Sequence, residues 1–337
     1  MVSDKALAGE ILTLLDRSLS WLLISHEKPD GDTLGCAAAL TRLGMRLSKR
    51  VMAICKDPCF EKYSFLMDGL DFKVTKRMPE DFPGRDGVIV CVDTCPVDRS
   101  YPELRERAFS CPVVNIDHHA DNELYGDVNW IDPTASATGE MVTSLMAFSQ
   151  WGIRADEAEA LYVAVISDNG GFSFPSTTLD SHQCAITLLK AGASPNLIAE
   201  KLHSTLTVNT LNLWGRAFSR AEVFSGGDCA IYWLEKNDFT ETKSKQDATE
   251  NLVNFLLRIK RVKMAALCSE QPGREGEHVR VSLRSRPPFI AREVAVIFGG
   301  GGHDMASGCT INAPLSEAVA TLREEMARHV SGISANL

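Results

Sequence analysis

The first half of the chain alternates short, near-continuous apolar runs with segments at helical spacing. The runs are Leu22–Ser25, Val51–Cys55, Val88–Val92, Val113–Ile116 and Tyr162–Ile166. A run that is apolar at nearly every position is what a strand covered on both faces requires, although the last of the five reads equally well as a buried helical segment. Between the runs, Leu34–Leu47 and Met141–Phe148 carry apolar residues at helical intervals, and an amphipathic helix around Ile11, Leu12, Leu14 and Leu15 opens the chain. The alternation predicts the α/β class, a mainly parallel sheet flanked by helices whose ligands gather at the carboxyl ends of the strands. In the second half Cys229–Leu234, Met264–Cys268 and Val279–Leu283 read as strands. A helix is expected near Leu252–Ile259, and a last one carries Leu315, Ala318, Val319, Leu322 and Met326. These predict a smaller α+β domain. The expected division is a first domain over 1–186, a helical linker over 187–215 and a second domain over 216–337, with a cleft between the domains.

Composition supports two packed cores and removes several classes of function. With 337 residues, 45% hydrophobic and 23% charged, the chain is too rich in core formers to be disordered. The net charge of -9 argues against a general nucleic-acid coat protein. That charge is unevenly spread, because residues 216–337 hold 16 basic against 15 acidic residues and the rest carries a net of -10. Within 258–292 nine basic residues, among them Arg280, Arg284 and Arg286, face three Glu. An acidic half beside a basic segment suits cation ligands in one place and anion contacts in another, and solvated surface is the plain alternative. The ten cysteines include no C-x-x-C pair, which argues against zinc ribbons and for reduced thiols. No apolar run approaches the ~20 residues of a membrane span, and Asp4 and Glu10 do not suit a signal peptide. The expectation is a cytoplasmic protein with no membrane role.

The candidate chemistry lies in four clusters, each expected just after a strand. His26, Asp30 and Asp32 form an H-x-x-x-D-x-D pattern in a loop marked by Pro29 and Gly31. Asp93 ends the Val88 run, Asp117-His118-His119 ends the Val113 run, and Asp168 follows Ile166 and Ser167. Alone, Asp32 or Asp93 reads as well as a helix N-cap. Together the four clusters offer the six or seven ligands that two cations need. Mixed carboxylate and imidazole donors suit Mn²⁺, with Mg²⁺ or Co²⁺ as substitutes. In the second half, Arg280, Ser282, Arg284 and Arg286 share one face if Val279, Val281 and Leu283 face a core. The guanidiniums on that face suit phosphate, and a solvated edge is the plain alternative, the better one for Arg280. The run Gly299-Gly300-Gly301-Gly302-His303 lets backbone approach an anion, and Tyr63 is a candidate for base stacking.

These residues resemble the DHH/DHHA1 phosphoesterase superfamily over nearly the whole chain. Asp117-His118-His119 matches its namesake triplet, His26 to Asp32 its first motif, Asp93-Thr94 its second and Asp168 its fourth. Gly299 to Gly308 matches the glycine-rich signature of the DHHA1 domain, and Val281 to Arg286 fits that domain too. Two departures stand out: Asn169 where Asp-Thr-Gly is common, and Cys36 where Ser is common. The resemblance implies a DHH catalytic domain followed by a DHHA1 substrate-binding domain. One metal would take His26, Asp30 and Asp93, and the second Asp32, Asp93, His118 and Asp168. Asp117 would orient an imidazole, and His119 would meet the scissile phosphate. Ser282, Arg284, Gly300, Gly301, Gly302, His303 and Tyr63 would contact substrate. The size is similar to that of the compact group acting on short oligoribonucleotides (nanoRNA). That implies a Mn²⁺-dependent phosphodiesterase converting short RNA, or dinucleotides such as pApA, to mononucleotides by in-line attack of a metal-bridging hydroxide. The rivals are a phosphatase with 3'-phosphoadenosine 5'-phosphate (pAp) as main substrate and a non-catalytic nucleotide sensor. The expected partner is a short RNA or small nucleotide, and a homodimer is left open.

Overall fold

The apolar runs of the first half become neighbouring strands of one sheet. After α1 (Lys5–Arg17) come β1 (Ser20–Ile24), α2 (Gly31–Arg46), β2 (Arg50–Cys55), β3 (Phe72–Val74), β4 (Gly87–Val92), the short α3 (Glu103–Glu106), β5 (Val113–Asp117) and β6 (Val128–Ile131). Four helices follow, α4 (Thr138–Phe148), α5 (Ala155–Asp168), α6 (Leu179–Lys190) and α7 (Pro195–His203). This computed structural model describes residues 5–106, 109–203, 206–271 and 278–334, in two compact units divided at residues 205–206. The strand order of the first unit is β3-β2-β1-β4-β5-β6, and every pairing is parallel. The central strands β1 and β4 are buried at every position, which is why they read as unbroken apolar runs. From β1 the chain winds outward to β3 and then returns to β4 on the other side. The carboxyl ends of β1 and β4 therefore flank the switch point, where open parallel sheets bind ligands.

One face of the sheet packs on α2, α4 and α5 through Leu34, Leu40, Val142, Leu145, Leu161 and Val165. The other face buries Leu22, Ile24, Ile54, Ile89, Tyr101 and Tyr125. Helix α2 lies tight against α5, since a Cβ on Gly35 would come within 2.4 Å of the Ala160 carbonyl oxygen. The Tyr162–Ile166 run belongs to α5 and is no strand. It is apolar throughout because α5 is sandwiched in the core, where one face cannot be told from the other by periodicity.

The second unit contains α8 (Val208–Ser219), β7 (Glu222–Phe224), β8 (Cys229–Leu234), α9 (Lys236–Thr242), β9 (Met264–Glu270), β10 (Val279–Ser285), α10 (Ala291–Ile297), β11 (Gly301–His303), β12 (Ala306–Ile311) and α11 (Leu315–Ser334). Its sheet runs β11-β12-β10-β9-β8-β7, antiparallel except for the parallel β8–β9 pair. Alternate residues feed two cores. Ile231, Ala266, Val281 and Leu283 meet Leu322 and Met326 of α11 on one face, and Tyr232, Leu234 and Leu267 meet Leu213 and Phe239 on the other. The helix expected near Leu252–Ile259 is a 3₁₀ segment, Leu252–Arg258, entered through Asn251 at φ 59°. The expected linker holds the end of α6, all of α7 and the start of α8, with Leu188, Ile198 and Leu202 in the first unit's core and Leu213 in the second's. Among the described residues no helix is long and apolar enough to cross a membrane.

Candidate metal centre

Three strand ends and one helix end converge in the first unit. The loop after β1 carries His26 and then Asp30, which caps α2 by accepting from the N–H groups of Asp32 at 3.0 Å and Thr33 at 3.2 Å. Asp32 sits in the first turn of α2, and the Thr33 hydroxyl ties that turn to the Val92 carbonyl at the end of β4, at 2.9 Å. Asp93 follows β4 in the left-handed region at φ 55°, an uncommon conformation for a residue other than glycine, and it is buried. Asp117 ends β5, with His118 and His119 just beyond. Asp168 is the last residue of α5, so the fourth cluster stands on a helix end where a strand end was expected. Gly31 lets that end approach the α2 turn, because a Cβ there would lie 1.9 Å from Ser167 Oγ.

The side chains form three overlapping sets of metal-capable groups, each with ligand atoms within 4.8 Å of one another. They are His26, Asp30 and Asp93; Asp32, His118 and Asp168; and Asp93, His118 and His119. Asp93 joins them. Its Oδ2 lies 3.5 Å from His26 Nε2, and its Oδ1 lies 3.6 Å from His118 Nε2. The imidazoles are held by their other nitrogens. His26 Nδ1 donates to the Glu27 carbonyl at 2.6 Å and His118 Nδ1 to the Ala135 carbonyl at 3.2 Å. That arrangement assigns the ring protons and aims both Nε2 atoms into the cluster. His119 Nδ1 bonds Asp117 Oδ1 at 2.7 Å, and Asn122 Nδ2 donates to Asp117 Oδ2 at 2.6 Å.

Electrostatics show what the cluster lacks. Burial, with the charges of Asp93, Asp168 and Asp30, pushes the Asp32 carboxyl well up. Burial likewise raises Asp168, to about 6, against the pull of His118. For His26 burial acts downward, but Asp30 and Asp93 outweigh it and lift the imidazole to about 10. His118 behaves the same way, with Asp168 and Asp93 lifting it to about 9. Its buried Nε2 faces Asp168 Oδ2 at 3.2 Å and Asp93 Oδ1 at 3.6 Å. Crowded carboxylates, two imidazole nitrogens aimed among them and mixed N/O donors fit divalent cations.

The expected substrate contacts of the second unit lie on β10 and the β11–β12 hairpin. Ser282 and Arg284 are half-buried on the face opposite Val281 and Leu283, and Arg280 is exposed there. Arg284 Nη1 donates to the Leu283 carbonyl at 2.9 Å, and burial lowers its pKa. The glycine run forms the edge strand β11, paired with β12 from Gly301↔Gly308 to His303↔Ala306. The side chain of His303 lies outside the described residues. A Cβ on Gly300 would meet the Gly308 carbonyl oxygen at 2.2 Å, and one on Gly302, at φ 132°, the Ala306 oxygen at 2.8 Å, whereas Gly301 has open space. Gly300→Ala is therefore expected to lower stability by about 1–3 kcal/mol in denaturant titrations, with Gly301→Ala near the wild type. Tyr63 departs from its expected role as a stacking platform. Its ring is buried against Gly31, its hydroxyl is 3.4 Å from Ser167 Oγ and the Lys62 ammonium lies 5.0 Å from the ring centre. It supports the α2 turn from below.

Several contributors carry no motif in the sequence. The Arg99 guanidinium lies 3.3 Å from His26 Nδ1. Asn115 donates to Asn122 Oδ1 at 2.8 Å, which fixes the amide that holds Asp117. Thr138 reaches Asp32 and Asp93.

Fold and cluster together define the class, an α/β protein with a candidate site for divalent cations where its parallel strands end. The family follows from two matches: the model of the DHH family, N-terminal domain, fits residues 20–165, and that of the DHHA1 domain fits residues 229–331. The chain belongs to the DHH/DHHA1 phosphoesterase superfamily. It is 27% identical over 299 residues to the bifunctional oligoribonuclease and PAP phosphatase NrnA of Bacillus subtilis, covering 86% of this chain and 88% of that one. The protein of the same description from Thermus thermophilus is 26% identical over 327 residues, covering 96% and 94%. The solved structure of an exopolyphosphatase-related protein from Bacteroides fragilis shares the fold, with a TM-score of 0.85, 24% identity and 96% coverage of both chains.

Proposed function

We propose that this protein hydrolyses short oligoribonucleotides and pApA-like dinucleotides to mononucleotides in a Mn²⁺-dependent reaction, with pAp as a second substrate. The observation that carries this reading is the two-sided placement of Asp93, one oxygen toward His26 and the other toward His118. His26, Asp30 and Asp93 would hold one cation, and Asp32, Asp93, His118 and Asp168 the other. When bound, such a pair supplies Lewis acidity and charge neutralisation to a phosphate ester and its attacking water. The chain's own residues do the rest. Glu27 and Ala135 carbonyls keep His26 and His118 in the ligating tautomer. Asp117 holds the Nδ1 proton of His119, leaving Nε2 to hydrogen-bond a phosphoryl oxygen. Ser282, Arg284, the Gly300–Gly302 backbone and His303 would bind the remainder of the substrate. The pAp activity is supported by the relatives, which are bifunctional oligoribonucleases and PAP phosphatases. All ten cysteines are free thiols, which suits a reducing cytoplasm.

A direct test compares kcat/KM for pApA, pAp and RNA of two to five nucleotides, with Mn²⁺, Mg²⁺, Co²⁺ or EDTA. Turnover of these substrates with Mn²⁺ and loss in EDTA are expected; bound nucleotide without turnover in any cation would sink the reading in favour of a sensor. Arg284→Ala should raise KM about tenfold and leave kcat nearly unchanged, since its guanidinium binds phosphate away from the reacting bond. A fall in kcat at constant KM would refute that role.

A further inference from the structure

Helix α4 begins without a cap of its own. Its N-cap residue is Ala137, which has no side-chain acceptor for the orphan N–H groups of the first turn. The acceptor comes from α2. Asp32 Oδ2 takes the Thr138 N–H at 2.6 Å, and Asp32 Oδ1 takes the Gly139 N–H at 2.8 Å. Thr138 then reaches a second carboxylate with its side chain, since its hydroxyl lies 3.3 Å from Asp93 Oδ1 and can only donate to it. The residue is fully buried, so neither bond competes with bulk water.

Asp32 belongs to one ligand set, with His118 and Asp168, whereas Asp93 reaches both cation positions, its Oδ1 toward His118 and its Oδ2 toward His26. We propose that Thr138 is a positioning residue that fixes the spacing between the two cation positions by tying Asp32, a ligand of one, to Asp93, the carboxylate shared by both. Paired-cation phosphoesterases need their ions ~3.5–4 Å apart, a spacing that a carboxylate free to turn about its side-chain bonds would not keep. The hydroxyl bond restrains Asp93 with Oδ1 toward His118 and Oδ2 toward His26, the orientation a bridging ligand needs. Gly139 has a separate task, because a Cβ there would come 2.6 Å from Ala164 Cβ and part α4 from α5. The inference rests on the two-cation reading given above.

Thr138→Val removes the hydroxyl at nearly constant volume and keeps the N–H on Asp32, while Thr138→Ser keeps both donors. The measurement is Mn²⁺ binding to the full chain, by calorimetry and by electron paramagnetic resonance, independent of turnover. The wild type is expected to bind two Mn²⁺ with the signal of a spin-coupled pair. Thr138→Val should lose the coupled signal and bind its weaker Mn²⁺ about 10- to 100-fold less tightly, and Thr138→Ser should restore both. Thr138→Ala carries the same expectation where Thr138→Val fails to fold. A valine variant with the coupled signal and both affinities within about twofold of the wild type overturns the proposal, as does a serine variant that restores neither. A wild-type chain that binds one Mn²⁺ overturns the two-cation reading itself, a result distinct from either of these.

Discussion

Asp93→Asn is expected to lower kcat/KM on a dinucleotide by about 10³-fold or more while the fold is retained. The loss follows from position. Asp93 is the one carboxylate that faces both His26 and His118, so removing its charge weakens both cation positions at once. Retention of the fold follows from the backbone. At φ 55° most side chains are strained by about 1–3 kcal/mol, but Asn enters this region more readily than other residues and matches Asp in shape. The Asp93 N–H bond to the Ile116 carbonyl, at 3.0 Å, belongs to the main chain and survives the change. Far-ultraviolet circular dichroism in EDTA should therefore match the wild type, while Mn²⁺ titration shows reduced stoichiometry. Near-normal turnover in Asp93→Asn would remove Asp93 from the centre of the site. Asp93→Ala should lose as much activity and also stability, because alanine has no local means of offsetting the left-handed backbone.

The parts of this site that the sequence made legible are those set by strand ends. β1, β4 and β5 are buried on both faces, so their apolar runs marked where each stopped, and His26, Asp93 and Asp117 followed at once. Asp168 was found for a different reason than its true one. Its apolar run lies in a helix buried on all sides, and burial erased the amphipathic period that would have separated helix from strand. β11 and β12 were read as a glycine-rich approach site, because Gly301, Gly302 and Gly308 suppress the apolar alternation that marks a strand. Thr138 was invisible in principle. Its bonds to Asp32 and Asp93 cross 106 and 45 positions of chain, and nothing local in Ser136-Ala137-Thr138-Gly139 shows a missing cap being supplied from another helix. Tyr63 shows the opposite failure. An aromatic residue in a loop near a nucleotide site suggests stacking, but only the packing around Gly31 reveals that its ring is already committed.

Cation affinity is expected to climb with pH, by about tenfold per unit at each of the two positions as long as its ligating imidazole starts protonated. Neighbouring carboxylates outweigh burial and hold His26 at about 10 and His118 at about 9 in the cation-free chain, so at neutral pH both carry protons that a ligand must give up. Cations and protons compete for the same nitrogens, and each proton released adds about a tenfold gain in affinity per pH unit. The gain should shrink once pH passes about 9 and end beyond about 10. Below about 6, protonation of Asp168 steepens it further. Calorimetry in buffers of different ionisation enthalpy reads the number of protons directly, and binding that releases none would contradict the assignment of His26 and His118 as ligands. Stability of the cation-free chain should run the other way. A raised imidazole pKa contributes stability that is complete below 6.5, the ordinary value, and is lost as pH rises through about 9 and about 10. The melting temperature in EDTA is therefore expected to fall between pH 7 and pH 10, whereas the Mn²⁺-loaded chain, whose imidazoles are already neutral, should escape that loss. Before cations arrive, the two protonated imidazoles serve as internal counter-ions for Asp30, Asp93 and Asp168, which lets so acidic a cluster stay assembled and ready to bind.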